Sequence, residues 1–420
     1  GMGSRDCMTK EVQQTIVTAD ILLGAERMIA DYSARIEKKP YYMAAQILPY
    51  LEKLQESEEL AQQETLRVAV LFSGDTGFYS GCRKLYVELQ EAIAAGQLRG
   101  SVRILPGISS VVSLAARVGE SYEDAAILSM HGKKLNRLAA TVESHEKVFL
   151  LTSGCEDIRK IGQTLTEAGL GDCEVIAGYQ LSYPEENIRI LTPEQCEEVT
   201  EKGLYTCLIR NPHPQPEPLT HGRADTCFLR DASGTGGKLR RTPMTKEEVR
   251  EVSICKLHLT DGAVVYDIGS GTGSVAVEIA GLSETVHVYA IERKPEAVEL
   301  LRKNREHFHM DNMEIIEALA PEGLEELPVP THAFIGGSGG RLMDILQTLY
   351  RKNPHMRIVI NAISMETIAE LQEVLEAFPV EDEEILQMQV NRVKKLGNYH
   401  LPQAENPVWI CSFTFREGET

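Results

Sequence analysis

The chain has 420 residues, 43% hydrophobic and 25% charged, which suits two or three globular domains with ample core. Its 43 Lys and Arg against 62 Asp and Glu give a formal charge of −19, which argues against a nucleic-acid or acidic-membrane binder, since those carry basic surfaces. No apolar run reaches the roughly 20 residues that span a bilayer, no signal-peptide pattern opens the chain, and nine scattered cysteines without a CxxC pair read as reduced thiols of a cytoplasmic protein.

Strand and helix patterns alternate almost throughout, which predicts α/β domains. In the first half the runs 66–72, 102–105, 125–130, 148–152 and 174–180 read as strands, with helical stretches between them. Two of them end in glycine-rich loops that open helices. Gly74, Asp75, Gly77, Phe78 and Gly81 follow the first; Pro106, Gly107, Ser109 and Ser110 follow the second. Each loop taken alone also fits an ordinary strand-to-helix turn. Four prolines alternate with other residues at 212–218, and a polar glycine-rich stretch follows at 232–238. Proline disfavours helix in its predecessor, so 212–240 reads as a linker between domains at 1–211 and 241–420.

The second half reads as one sheet. An apolar strand ends at Asp267, Gly269, Gly271 and Gly273 follow with Thr272 between them, and an apolar-faced helix begins. A strand, a tight glycine turn and a helix N-terminus form a cradle for a nucleotide-like ligand, though an ordinary turn can share the pattern. The next strand closes on Glu292, where a carboxylate can accept both hydroxyls of a ribose. Then come helix 295–308, strands 313–317 and 331–335, helix 341–351, strand 356–362, helix 365–378 and closing strands 384–390 and 408–415. Gly336 and Gly337 sit at the end of the fourth strand. His307 and His309 lie two apart without a further ligand at metal spacing, so no metal site is expected.

Gly269, Gly271 and Gly273 with Glu292 resemble the S-adenosylmethionine (SAM) cradle of class I methyltransferases, whose seven-stranded Rossmann-like sheet also closes on an antiparallel pair. In the first half, the loops after 66–72 and 102–105, together with Ser129, Met130, His131, Gly132 and Lys133, resemble the tetrapyrrole methylases, which are two-part α/β domains. That resemblance implies SAM contacts for Gly74, Asp75, Phe78 and Ser109 and a substrate contact for Lys133. Residues 1–9 resemble the same family's opening glycine-rich loop, with Ser4 and Arg5 where Pro-Gly is usual and Thr76 where Pro is usual. The strand that precedes this loop in the family has no counterpart ahead of Gly1, so a lost strand, and with it a gap or exposed edge in the first sheet, is expected.

Pro243, Thr245, Lys246 and Arg250, the run 336–339, the run 396–399 and Asn406 with Pro407 and Val408 extend the resemblance to nearly the whole chain. It is similar to the bifunctional, decarboxylating precorrin methyltransferases of cobalamin biosynthesis. The resemblance implies methylation of a precorrin-6-type tetrapyrrole at C5 by the first half, and at C15 by the second, with loss of CO2 from a ring acetate. SAM is the implied cofactor, held in the second half by Thr245, Asp267, Gly269, Gly271, Thr272, Gly273, Glu292, Gly336 and Gly337. Lys246 and Arg392, with Arg241, Arg250, Lys394 and Lys395 as further candidates, are the cations expected to meet the macrocycle's carboxylates. His400, Tyr399 and Glu366 are the candidates for delivering a proton after decarboxylation. An acidic residue that usually faces adenine is replaced within Ala318, Leu319 and Ala320. Related proteins assemble, so a homo-oligomer is expected, with no nucleic-acid or membrane partner. The alternatives are a SAM-dependent RNA methyltransferase, opposed by the −19 charge and the lack of an aromatic-basic stripe, and a protein active only in its C-terminal half.

Overall fold

The computed structural model describes residues 4–56, 65–130, 137–215, 220, 222–232 and 240–418. It divides into two units, Gly1–Pro216 and Glu217–Thr420.

The first unit holds two sheets. One is parallel, with strands β1 (Ile21–Leu23), β2 (Glu37–Lys39) and β3 (Val68–Val70) in the order β2-β1-β3. Its central strand β1 is three consecutive buried aliphatics, as a parallel strand covered on both faces requires. The other comprises β4 (Ala126–Ser129), β5 (Lys147–Leu151), β6 (Glu174–Tyr179), β7 (Asn187–Leu191) and β8 (Tyr205–Arg210), ordered β4-β5-β8-β6-β7. Only β4 and β5 pair in parallel. Strands β7 and β8 fall outside the runs read as strands from sequence. The former is a partly exposed edge strand, and Thr206 and Cys207 interrupt the apolar pattern of the latter. The strand expected at 66–72 shortens to Val68–Val70, and residues 102–105 join no sheet. Alternation favours strand only where a neighbour supplies the ladder, and among the described residues none pairs with 102–105.

The second unit begins inside the stretch expected as linker. There β9 (Asp231–Ala232) and β10 (Arg240–Arg241) form a short antiparallel ribbon. The backbone N–H of Arg223 donates to Glu278 (2.6 Å), and that of Leu229 donates to Asn304 (2.9 Å). This part of 212–240 is therefore fastened to the second unit rather than extended and free.

The main sheet contains β11 (Val264–Ile268), β12 (His287–Glu292), β13 (Met313–Glu317), β14 (His332–Ile335), β15 (Arg357–Ala362) and β16 (Val380–Met388). A separate hairpin, β17 (Asn391–Leu396) and β18 (Tyr399–Ala404), precedes the last strand β19 (Val408–Phe415). The order is β13-β12-β11-β14-β15-β19-β16, parallel except for β19, which runs against both β15 and β16. Helices Ser274–Leu282, Pro295–His307, Leu342–Lys352 and Met365–Ala377 make the crossovers. Pro295 stands at the start of its helix, where its missing N–H removes no helical bond. Alternate strand residues feed two cores. Val265, Val288, Phe334 and Val359 pack on one face, and Tyr266, Ile268, Ile291, Ile335 and Ile358 pack on the other. The β17–β18 hairpin was not expected from sequence. Its residues are all exposed, so no buried face imposes a period of two. Among the described residues, no helix is long and apolar enough to cross a membrane.

Candidate functional site

The chain leaves β11 in one direction to build β12 and β13, and returns on the other side to build β14 and β15. Such a reversal of strand order leaves a crevice at the carboxyl ends of the two central strands. A cavity of about 620 Å³ lies there. Its lining includes Gly269, Ser270 and Gly271 after β11, Glu292 and Arg293 at the end of β12, and Gly336, Gly337 and Ser338 after β14. Thr245, Lys246, Asn361, Met388, Glu405 and Asn406 also contribute to the walls.

The glycines are required by geometry. Gly269, Gly271 and Gly273 have φ of +74°, +60° and +82°, a region that L side chains rarely adopt. A Cβ on Gly269 would lie 2.6 Å from the carbonyl oxygen of Gly337 and 2.8 Å from its nitrogen. The two turns at the switch point therefore touch backbone to backbone. Gly273 is packed from behind instead, where a Cβ would meet Leu301 at 2.2 Å. It shapes the turn and does not line the cavity.

Glu292 is held by peptide N–H groups. Gly271 donates to Oε2 at 3.0 Å, and Arg293 and Lys294 each donate to Oε1 at 2.9 Å. Oε1 already takes two donors and Oε2 one, so the oriented side chain keeps an accepting position on Oε2 for a hydroxyl donor. Asp267 lies beneath the turn, 1% exposed, and accepts from Ser270 Oγ at 2.5 Å. Burial pushes its carboxyl up to about 7; the bonds from Ser270 and the Ala276 N–H oppose the rise, and the charge of Glu292 adds to it. Its Oδ1 is buried without a hydrogen-bond partner. Asp267 is absent from the cavity lining, so it braces the turn from behind, as Thr272 does.

The entrance loop is fastened from below. Arg250 is fully buried, contrary to its expected role as a substrate cation. Its guanidinium bonds the Thr245 carbonyl at 2.8 Å, reaches Asp225 and Glu278 at 3.4 Å each, and lies 4.9 Å over the Phe228 ring. Buried charge needs such partners, and here they fix the loop that carries Thr245 and Lys246. Lys246 is half-buried at the cavity wall and bonded to Asp225 at 3.0 Å. Burial raises the Asp225 carboxyl, but Lys246 and Arg250 outweigh it and hold the group below its usual range.

Other sequence candidates fall elsewhere. Thr272 is fully buried, with Oγ1 unpartnered, and is absent from the lining. Its carbonyl instead accepts from Asn304 at 2.8 Å, so the residue braces the turn from inside. His400 and Tyr399 lie on the exposed hairpin, whose strands pair with each other and not with the main sheet, and they do not line the cavity. Glu366 is exposed in the first turn of its helix, outside the lining. Arg392 is exposed and paired to Glu248 (2.6 Å) and Glu405 (3.0 Å), of which Glu405 lines the cavity. Ala318, Leu319 and Ala320 form an apolar wall without a carboxylate. Asn361 is a lining residue that sequence reasoning missed. It is the one amide in the otherwise apolar second half of β15, bonded to Ser253 at 3.0 Å, and that polar interruption was the available signal.

In the first unit, Gly74 has φ +71°, Asp75 accepts from the Gly77 N–H at 2.6 Å, and Ser109 caps helix Ser110–Val118 through the Val111 N–H. Phe78 packs edge-on to Tyr79. Thr76 donates to the Leu105 carbonyl at 2.8 Å and so joins the two loops. The large cavity of this unit is lined by Thr76 and Leu105 but not by Gly74, Asp75, Phe78 or Ser109. Lys133 and His131 lie outside the described residues.

A doubly wound sheet with a glycine cradle at its switch point and an oriented carboxylate on the adjacent strand defines a Rossmann-like methyltransferase. Comparison with known proteins narrows the class. Residues 240–414 match the family described as Precorrin methyltransferase domain, and residues 1–196 match the Tetrapyrrole (Corrin/Porphyrin) Methylases. A Pyrobaculum calidifontis protein named Probable cobalt-precorrin-6B C(15)-methyltransferase (decarboxylating) is 38% identical over 40% of this chain and 88% of its own length. The Precorrin-6Y C(5,15)-methyltransferase [decarboxylating] of a Sinorhizobium species is 26% identical over 86% of this chain and 82% of its own. The solved precorrin-6y C5,15-methyltransferase of Geobacter metallireducens is 36% identical, covering 46% of this chain and 97% of its own with a TM-score of 0.41. The chain belongs to the precorrin methyltransferase family.

Proposed function

We propose that this chain uses SAM to methylate a precorrin-6-type tetrapyrrole at C5 and C15, with loss of CO2 from a ring acetate, in cobalamin biosynthesis. The observation that carries this reading is the union in one chain of the two family domains, at 1–196 and 240–414, as in a relative named for both positions. The first unit is assigned C5, and the second C15 and decarboxylation.

The second site fits SAM on its own chemistry. A Cβ-free floor at Gly269 and Gly271 admits close approach of a ligand, and Glu292, oriented by three peptide N–H groups at the cavity wall, keeps an accepting position on Oε2 for a ribose hydroxyl. Bound there, SAM supplies an activated methyl group on a sulfonium. The chain's own contribution is placement. Gly336 and Gly337 close the crevice from β14, and the Arg250-braced loop positions Thr245 and Lys246 at its mouth. Apolar Ala318, Leu319, Met388 and Val390 exclude water from the wall. Lys246 is the cation placed to meet a substrate carboxylate, with Arg293 beside the cavity as a second. The same reading carries a cytoplasmic setting and a homo-oligomer. Exposed Val393, Leu396, Tyr399 and Leu401 on the β17–β18 arm support the latter.

Mass spectrometry of the product after incubation with SAM and reduced precorrin-6, with and without cobalt, tests the proposal. Two added methyl groups with loss of CO2 are expected. One methyl with loss of CO2 would restrict the activity to the second unit, and an unchanged macrocycle in both cases would overturn the reading.

A further inference from the structure

Strand β15 alternates Val359 and Asn361 onto one face of the main sheet, and the core on that face includes Val359. Ile363 is next in the same alternation, one residue past the strand, where that core has ended. It is 63% exposed. The antiparallel register sets Ala362 opposite Trp409, so Ile363 stands level with Val408, and Val408 pairs with Met388 on the far side. Three apolar residues therefore form one row across the ends of β15, β19 and β16, two strand spacings or ~10 Å wide. All three line the cavity of about 620 Å³. Met365, 75% exposed, stands just beyond Ile363 at the first position of its helix, after the capping residue Ser364.

Large apolar side chains left to water at the rim of a cleft mark a binding surface. The polar groups of SAM find their partners at the glycine floor and Glu292, and a cavity of this volume is filled by one small molecule. A second reactant therefore meets the crevice at its rim. On the other side of the switch point, after β12, Arg293 and Lys294 line the same cavity, and Lys246 lines it from the entrance loop. The rim thus offers an apolar row on one side and cationic groups on the other. That combination suits a flat molecule with an apolar face and an anionic periphery. A lipid chain or an aliphatic peptide would cover the row but leave the cations idle.

We propose that Ile363, Val408 and Met388, extended by Met365, are a shelf for one face of a carboxylated tetrapyrrole, whose rim carboxylates reach Lys246 and Arg293. The shelf presupposes the functional reading of the second unit, and it adds the residues that select a macrocycle over a smaller methyl acceptor. Lying flat, the macrocycle covers the row and turns one edge, hence one meso carbon, toward the glycine floor. Covering an exposed aliphatic side chain of this size contributes roughly tenfold in affinity.

The test uses the full chain loaded with S-adenosylhomocysteine and titrated with reduced precorrin-6, read by quenching of Trp409, the chain's single tryptophan. Ile363→Thr combined with Met365→Gln keeps the size of both side chains and removes their apolar character. Macrocycle affinity should fall at least tenfold in this variant. Its affinity for S-adenosylhomocysteine by calorimetry and its urea midpoint should match the parent's, because both positions are exposed. Ile363→Leu combined with Met365→Leu should hold macrocycle affinity within about threefold. A parent that binds no macrocycle, parent-like affinity in the polar variant, or an equal loss in the leucine variant overturns the shelf. So does a polar variant that sediments as a smaller species while binding the macrocycle as the parent does, which would make the patch a contact between copies. Product mass spectrometry separates this inference from the functional reading. Shelf-dependent binding without methyl gain or CO2 loss fails that reading and leaves the shelf standing. Methylation and CO2 loss with an unchanged KM in the polar variant keep that reading and overturn the shelf.

Discussion

Replacing Gly269 by alanine probes the contact on which the cradle depends. The backbone there has φ +74°, which costs an L residue about 1–2 kcal/mol. The new Cβ would stand 2.6, 2.8 and 3.0 Å from the oxygen, nitrogen and Cα of Gly337. All three are backbone atoms, which cannot rotate aside, so overpacking adds about 1–3 kcal/mol. The sum is a loss of about 2–5 kcal/mol, or a widened crevice that relieves part of it. Gly262 is the matched control, because its φ is +76° but nothing lies within 4 Å of its Cβ position. Gly262→Ala should lose only the backbone part. The chain's single tryptophan is Trp409, in β19 of the second unit, so urea melts followed by its fluorescence report on the unit concerned. SAM affinity, measured by calorimetry on the folded variants, should fall at least tenfold for Gly269→Ala and stay near the parent's for Gly262→Ala. Equal destabilisation by the two substitutions would refute the argument that the turns are held at backbone contact.

Three further outcomes follow from the same geometry. Asp267 has its carboxyl raised from 3.8 to about 7, so its contribution to stability is fully present below about pH 4 and is lost as pH rises through 7, by up to about 4 kcal/mol. Asp267→Asn should therefore gain on the parent between pH 4.5 and 7.5 in urea midpoints; parallel profiles would dismiss the raised value. Glu292→Gln keeps one carbonyl for three N–H donors, so SAM affinity should drop tenfold or more while the melt shifts by about 1–3 kcal/mol; unchanged affinity in calorimetry would remove Glu292 from the ribose role. His400→Ala on the exposed hairpin should leave decarboxylation within about threefold by product mass spectrometry, and a loss beyond tenfold would return His400 to the chemistry.

Much of the second site was legible because its demands are local. A tight turn at the end of an apolar strand needs positive φ at Gly269, Gly271 and Gly273, and glycine meets that need in the sequence itself. The strands β11, β12, β14 and β15 announce themselves as short, largely apolar runs, since an internal parallel strand is covered on both faces. Glu292 is recognisable by its place at the end of the second of them. What escaped was set by partners distant in the chain. Arg250 looks like any surface arginine until Asp225, Phe228 and Glu278 close around it. Thr272 sits amid the glycine motif, yet its side chain turns inward. The hairpin that carries Tyr399 and His400 has no buried face to pattern it.

The sequence by itself determined two α/β halves, a glycine cradle with an acid on the following strand, and a closing antiparallel pair, because glycine conformation and apolar periodicity act over a few residues. Only the tertiary structure decided that Gly269 and Gly337 meet backbone to backbone, that Asp267 is buried with an open oxygen, and that residues 102–105 find no ladder among the described residues. Close contact, burial and strand pairing all join segments tens of residues apart, and no local pattern encodes which segments those will be.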